Sequence, residues 1–142
     1  MTRENALLTV DEFNTIERER LPLAWSMGIR VEAIARGSAR GRLPFREDLT
    51  RPGGTVAGPA IMALADLTMY AVVLGLVGVR ELAVTTDFTV HFLSRPGPAD
   101  LIADGLILKL GKRLAVIEVR IRTDGQPELI AHATGSYSLP PR

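Results

Sequence analysis

A nearly unbroken apolar run, GPAIMALADLTMYAVVLGLVGV over residues 58–79, constrains this chain more than any other stretch. From Pro59 to Val79 its single charged residue is Asp66. The helical neighbours of that carboxylate, Met62, Ala63, Met69 and Tyr70, are mostly apolar, so it does not lie on a solvated stripe. A helix apolar on nearly every side is buried in protein or in lipid. The charge-free part, residues 67–79, is shorter than the roughly 20 residues that a bilayer span needs. Extending it backwards would place a carboxylate in hydrocarbon, so the expectation is a core helix and no membrane partner. An unpaired charge in a core is very costly. Asp66 must therefore be hydrogen-bonded, protonated or put to use.

The run is entered from RPGGTVAGP, residues 51–59, a glycine-rich turn leading into a helix start. Pro59 suits the first helical position, where no N–H is needed. Free N–H groups at such a start can hold a developing negative charge. An anion-stabilising turn thus precedes the lone carboxylate by about two helical turns.

Thr9–Leu21 reads as a short amphipathic helix, with Thr9 as its cap, Asp11 and Glu12 in its first turn and Pro22 just past its end. Val10, Phe13, Ile16 and Glu17 mark a narrow stripe, so this helix covers something from the surface. Trp25 and Met27 fall in a loop, and the only tryptophan is read as packing. Residues 28–36 and 39–46 alternate around Gly37-Ser38 and form a hairpin with one wet face. Residues 81–94 make the clearest strand. Val84, Thr86, Phe88, Val90 and Phe92 share one face, and Thr85, Asp87, Thr89 and His91 share the other. Residues 100–110, 113–123 and 128–139 complete the set, with turns at Gly111-Lys112 and Asp124-Gly125. Ala131, Ala133 and Gly135 give the last strand a small-residue face that a helix or a second chain could approach closely. Helix, two strands, long helix and four strands make an α+β fold with a mostly antiparallel six-stranded sheet. The expectation is one domain over 1–142, with a helical extension over 1–24.

The net charge of +1 gives no footprint for nucleic acid. With no cysteine there is no disulfide and no thiolate nucleophile, and a reducing cytoplasm is the expected location. The N-terminal MTRENALLTVDEF carries acids and no long apolar run, unlike a signal peptide. His91 and His132 lack acid or thiol partners at ligand spacing, so no metal is expected. No serine sits in a G-x-S-x-G context.

Arg51–Asp66, RPGGTVAGPAIMALAD, resembles the segment of phenylacetate-pathway-type acyl-CoA thioesterases that reads roughly N-x-x-G-x-x-H-G-G-x-x-x-x-x-x-D. Val84–Pro96, VTTDFTVHFLSRP, resembles that family's next strand, and GKRLAVIEVRI, residues 111–121, its later hairpin. The resemblance covers about residues 25–139. It implies the hotdog fold of the 4-hydroxybenzoyl-CoA thioesterase superfamily, a sheet wrapped around one long helix. It also implies that Asp66 acts as general base or nucleophile, that the Gly58 N–H binds the oxyanion, and that Thr85 helps place the attacking water. The site would be completed across a homodimer, with a homotetramer also open. Three positions depart from the pattern: Ala57 replaces the usual His, Pro59 the second Gly, and Arg51 the usual polar residue. Pro59 has no N–H to give, which leaves Gly58 and Ala60 as donors.

A thioester is activated enough for a carboxylate and a placed water to cleave it, or for the carboxylate to attack directly and give a mixed anhydride. Arg51, Ala57 and Pro59 fall at the turn that would meet the substrate. Met62, Met69 and Tyr70 would line an apolar site for an acyl or aryl group. Arg51, Arg95, Lys112 and Arg113 lie near element ends and could meet the phosphates of coenzyme A. Core packing and solvated loop charge are the plain alternatives for these residues, and a hydrogen-bonded structural Asp is the alternative for Asp66. Coenzyme A enters only as part of the substrate, with no separate cofactor. Two other functions stay open: an acyl-ligand binder of the same fold without efficient hydrolysis, and a dimerisation scaffold.

Overall fold

The computed structural model describes residues 5–80 and 82–141. The first helix, α1 (Val10–Arg20), is closed by a capping box. The Glu12 N–H donates to Thr9 Oγ1 at 3.1 Å, and the Thr9 N–H donates to Glu12 Oε1 at 2.9 Å. Pro22 does more than follow its end. It opens a second short helix, α2 (Pro22–Ser26), so Trp25 is helical where a loop was expected. The Arg30 guanidinium lies 3.3 Å above the centroid of the Trp25 ring, which accounts for the tryptophan as packing.

Strands β1 (Arg30–Ala35), β2 (Ser38–Leu43), β3 (Val84–Phe92), β4 (Leu101–Leu110), β5 (Leu114–Thr123) and β6 (Leu129–Ser138) form one antiparallel sheet in the order β1-β2-β4-β5-β6-β3. The long helix α3 (Gly58–Val77) packs against it. Its length and composition would allow it to cross a membrane, but most of its surface is covered by the rest of the chain. Alternate residues of the strands complete the core, among them Leu101 and Ala103 on β4, Ile117 and Val119 on β5, and Ala131 and Ala133 on β6.

Missing side chains let helix and sheet meet closely. A Cβ on Gly41 would collide with the Thr68 hydroxyl, and one on Gly135 would lie 2.7 Å from Met69 Sδ. The small-residue face of β6 thus receives the helix. The hydroxyl of buried Thr68 donates to the Leu64 carbonyl at 2.7 Å and leaves no unsatisfied polar group there.

The sheet has two edges, and they differ. At β1 the edge is occupied by α1. Asn14 Nδ2 donates to the Val31 carbonyl at 3.1 Å, and the Val31 N–H donates to Asn14 Oδ1 at 3.2 Å. At β3 the outer edge pairs with no other strand among the described residues, and Val84 and Phe92 are 56% and 52% exposed.

Strand β3 also departs from the expected alternation. A bulge between Thr85 and Asp87 shifts its register on β6. Thr85 therefore turns inward with Phe88 and Val90, while Val84 and Thr86 are exposed. The expected grouping, with Val84 and Thr86 on the face of Phe88 and Val90 and Thr85 on the other, is corrected by that one inserted residue.

Candidate active site

Asp66 lies a little past two turns into α3, half-buried. Its Oδ1 accepts a hydrogen bond from Thr85 Oγ1 at 2.8 Å and another from the Tyr137 hydroxyl at 2.6 Å. The Tyr137 oxygen also lies 3.0 Å from the Asp66 carbonyl oxygen, so its one proton is shared between main chain and side chain. Thr85 on β3 and Tyr137 on β6 are register partners, which is why both reach the same carboxylate oxygen. Burial, and then the adjacent Asp66 charge, push the Tyr137 phenol far above its usual range. Tyr137 is therefore a fixed donor. Asp66 Oδ2 takes no hydrogen bond among the described residues.

The carboxylate opens on a cavity of about 420 Å³. Its walls include Ala63, Leu67 and Tyr70 of α3, Ala83 before β3, and Leu21 and Ala24 from the N-terminal helices. Tyr70 stacks on Tyr137 with ring centroids 6.0 Å apart and meets Phe13 edge-on at 5.9 Å. The N-terminal extension thus forms one wall of the cavity, a role that its narrow apolar stripe hinted at without locating.

At the start of α3 the N–H groups are unequally available. The Ala57 N–H donates to the Leu49 carbonyl at 2.8 Å, the Ala60 N–H to the Ala57 carbonyl at 3.0 Å, and Pro59 has none. The Gly58 N–H finds no acceptor among the described residues. The turn before it is closed by Arg51 N–H to Thr55 O and Gly54 N–H to Arg51 O, both 2.9 Å, with Gly53 and Gly54 at φ 101° and 83°. Arg51 itself is exposed on that turn.

Of the residues singled out in the sequence, the structure brings Asp66, Thr85 and Tyr70 to one cavity. Met62 lies on the exposed side of α3, outside its walls. Met69 is fully buried over Gly135 and also outside them, which makes it a packing residue in this chain. Ala57 and Pro59 stand with Gly58 at the other end of the helix. Arg95 lines a separate cavity that also contains Asp124 and Glu128. Lys112 and Arg113 share another with Arg80. His91 and His132 face each other across β3 and β6, and His132 Nε2 lies 2.8 Å from Glu118 Oε1. Sequence reasoning missed Tyr137. The alternation of Gly135, Tyr137 and Leu139 against Ser136 and Ser138 was the available signal, because a tyrosine turned toward an apolar helix needs an acceptor.

One antiparallel sheet wrapped on one core helix is the hotdog architecture. A model of the thioesterase superfamily matches residues 53–130. A protein of Sulfurisphaera tokodaii, provisionally named an esterase, is 34% identical over 134 residues, 94% of this chain and 98% of that protein. A crystal structure from Silicibacter sp. TM1040, provisionally named a thioesterase, is 36% identical with a TM-score of 0.87, and the match covers 96% of this chain and 95% of that one. The phenylacetic acid degradation protein PaaI of Thermus thermophilus is 25% identical with a TM-score of 0.74, over 84% of this chain and 99% of that one. The chain belongs to the thioesterase superfamily and has its hotdog fold.

Proposed function

We propose that this protein is an acyl-CoA thioesterase that hydrolyses an acyl- or aryl-CoA thioester with Asp66 as general base or nucleophile. The observation that carries this reading is the asymmetry of the carboxylate. Two donors hold Oδ1, and Oδ2, beside an apolar cavity, has no partner among the described residues. A carboxylate serving only structure would be expected to spend both oxygens on the protein.

In the general-base course, Oδ2 takes a proton from water as that water attacks the thioester carbon. The carbonyl oxygen gains negative charge and is held by the Gly58 N–H. The C–S bond then breaks, and the departing thiolate recovers the proton from Asp66. The products are the carboxylic acid and coenzyme A.

Gly58 precedes Asp66 by eight residues on one helix, which separates them by about 12 Å along its axis. One carbonyl group cannot touch both. The reading therefore requires the Gly58 N–H of one copy to face the Asp66 of another. The unpaired β3 edge, with exposed Val84 and Phe92, is where a second copy would pair as a homodimer.

The test is turnover of a panel of acyl- and aryl-CoA thioesters by the wild-type chain and by Asp66→Asn. Turnover that falls by several orders of magnitude in the variant supports the reading. No turnover of any thioester, or equal turnover by both, removes it.

A further inference from the structure

Phe92 stands apart from the other three phenylalanines. Phe13, Phe45 and Phe88 belong to the core or pack against it, whereas Phe92 is 52% exposed at the end of the β3 edge. By alternation it shares the helix side of the sheet with Phe88 and Val90. Its ring rests on the start of α3. A Cβ built on Gly58 would lie 3.4 Å from Phe92 Cζ and 3.7 Å from Cε1. The ring edge therefore borders the residue whose N–H finds no acceptor among the described residues. At the other end of the same strand, Val84 is 56% exposed and lines the Asp66 cavity beside Thr85. Antiparallel pairing of β3 with the same strand of a second copy, over all nine residues, centres on Phe88. It sets residue 92 of one chain against residue 84 of the other. The Phe92 ring, and Gly58 against it, then arrive at the border of the other copy's cavity.

We propose that Phe92 is a positioning residue of the reaction site: from one copy it walls the other copy's Asp66 cavity and keeps water away from the Gly58 N–H. The proposal rests on the thioesterase reading and its homodimer, and adds to them the side chain that shields the oxyanion donor. A backbone N–H stabilises developing charge far better where water is excluded than where it is hydrated. Gly58 has no side chain to exclude water for itself, and it stands half-buried at a helix start. The Phe92 ring supplies the missing cover. It does so with its edge, Cζ and Cε1, where the aromatic quadrupole is positive, so it does not oppose an anion forming beside it. The same ring, exposed in one chain, gains its own burial when the second copy arrives.

Mixed dimers, purified through a different affinity tag on each chain, test this. A chain carrying Asp66→Asn paired with a chain carrying Gly58→Pro keeps one complete site, with Gly58 from the first chain and Asp66 from the second. Phe92→Ala is then added to the first chain or to the second. Both placements remove one ring from the same interface, so a loss due only to weaker packing is common to the two, and their melting temperatures should agree. In the first chain the substitution uncovers the working Gly58; in the second it affects only the idle site. The first placement should therefore cost roughly tenfold or more in kcat beyond the second. Phe92→Leu in the first chain keeps an apolar cover and should recover part of that loss. Equal activity of the two Phe92→Ala dimers, where the dimer with both rings intact is active, overturns the role of Phe92 and leaves the shared site standing. If the dimer with both rings intact is inactive although wild type turns thioesters over, the shared site falls and this inference with it.

Discussion

The Tyr137 hydroxyl lies 2.6 Å from Asp66 Oδ1, on the oxygen that Thr85 also holds. Both donors sit on adjacent strands at a register pair, so the sheet rather than the helix orients the carboxylate. Tyr137→Phe removes the donor and keeps the ring against Tyr70. It should lower kcat by about ten- to hundredfold with little change in KM, because the hydroxyl acts on Asp66 and not on the substrate. Thr85→Val should do the same. Each single variant leaves one donor on Oδ1 and the double variant leaves none, so its loss should exceed the product of the two single losses. Strictly multiplicative losses would show that the two donors act independently.

The separation of Gly58 and Asp66 along one helix leads to a mixing experiment. Gly58→Pro removes the N–H that stays free at the helix start and should cost on the order of 10²–10³ in kcat. Gly58→Ala keeps that N–H, and its Cβ would meet the Phe92 ring at an ordinary 3.4 Å, so it should cost less than about tenfold. Chains carrying only Asp66→Asn should be inactive, and so should chains carrying only Gly58→Pro. Unfolded and refolded together, random pairing puts one intact site in each mixed dimer and should restore about a quarter of wild-type activity. Absence of recovery in confirmed mixed dimers would place both groups in one chain.

Much of this was legible because Asp66 interrupts a run with no other charge. With that carboxylate inside it and too few charge-free residues to span a bilayer, the run reads as a core helix, and the alternating strands around it then have one place to go. The facing of Thr85 was not legible. Alternation put it on the face of Asp87, Thr89 and His91, and the bulge before Asp87 that turns it to the side of Phe88 and Val90 leaves no mark in the residues Thr85-Thr86-Asp87. Met69 misled for a related reason. A helix apolar all round carries no phase, so nothing in its sequence distinguishes the side over Gly135 from the side over the cavity. The α2 wall escaped notice because five residues are too few to show a period. Tyr137 is different: its alternation pointed inward, and Asp66 was the one acid on the helix it faces.

That α2 wall should set which acyl groups are accepted. Ala24 lines the cavity with Leu21, Leu67 and Tyr70. Ala24→Phe fills space there and leaves Asp66, Thr85 and Tyr137 themselves unchanged. The kcat/KM for long-chain or aryl thioesters should fall by roughly tenfold or more relative to short ones, since each lost methylene contact in an apolar site costs about 1–3 kcal/mol. A uniform loss across chain lengths would indicate that the acyl group does not enter between α2 and α3.

Glu17 gives the N-terminal helix a pH dependence of its own. It is 0% exposed, neither oxygen has a hydrogen-bond partner among the described residues, and Arg30 Nη1 stands 3.7 Å away. Burial raises its pKa from 4.5 to about 7, and Arg30 opposes that only in part. The folded chain therefore holds this proton more tightly than the unfolded chain does. Stability from this group is fully present below about pH 4.5, falls as pH rises toward 7, and stays lost above it. The span corresponds to roughly 3 kcal/mol. Glu17→Gln is uncharged at every pH and keeps the shape. It should come nearest to wild type near pH 4 and melt several degrees higher near pH 8. A melting-temperature difference that is constant between those pH values would show that Glu17 does not titrate in the folded chain over this range.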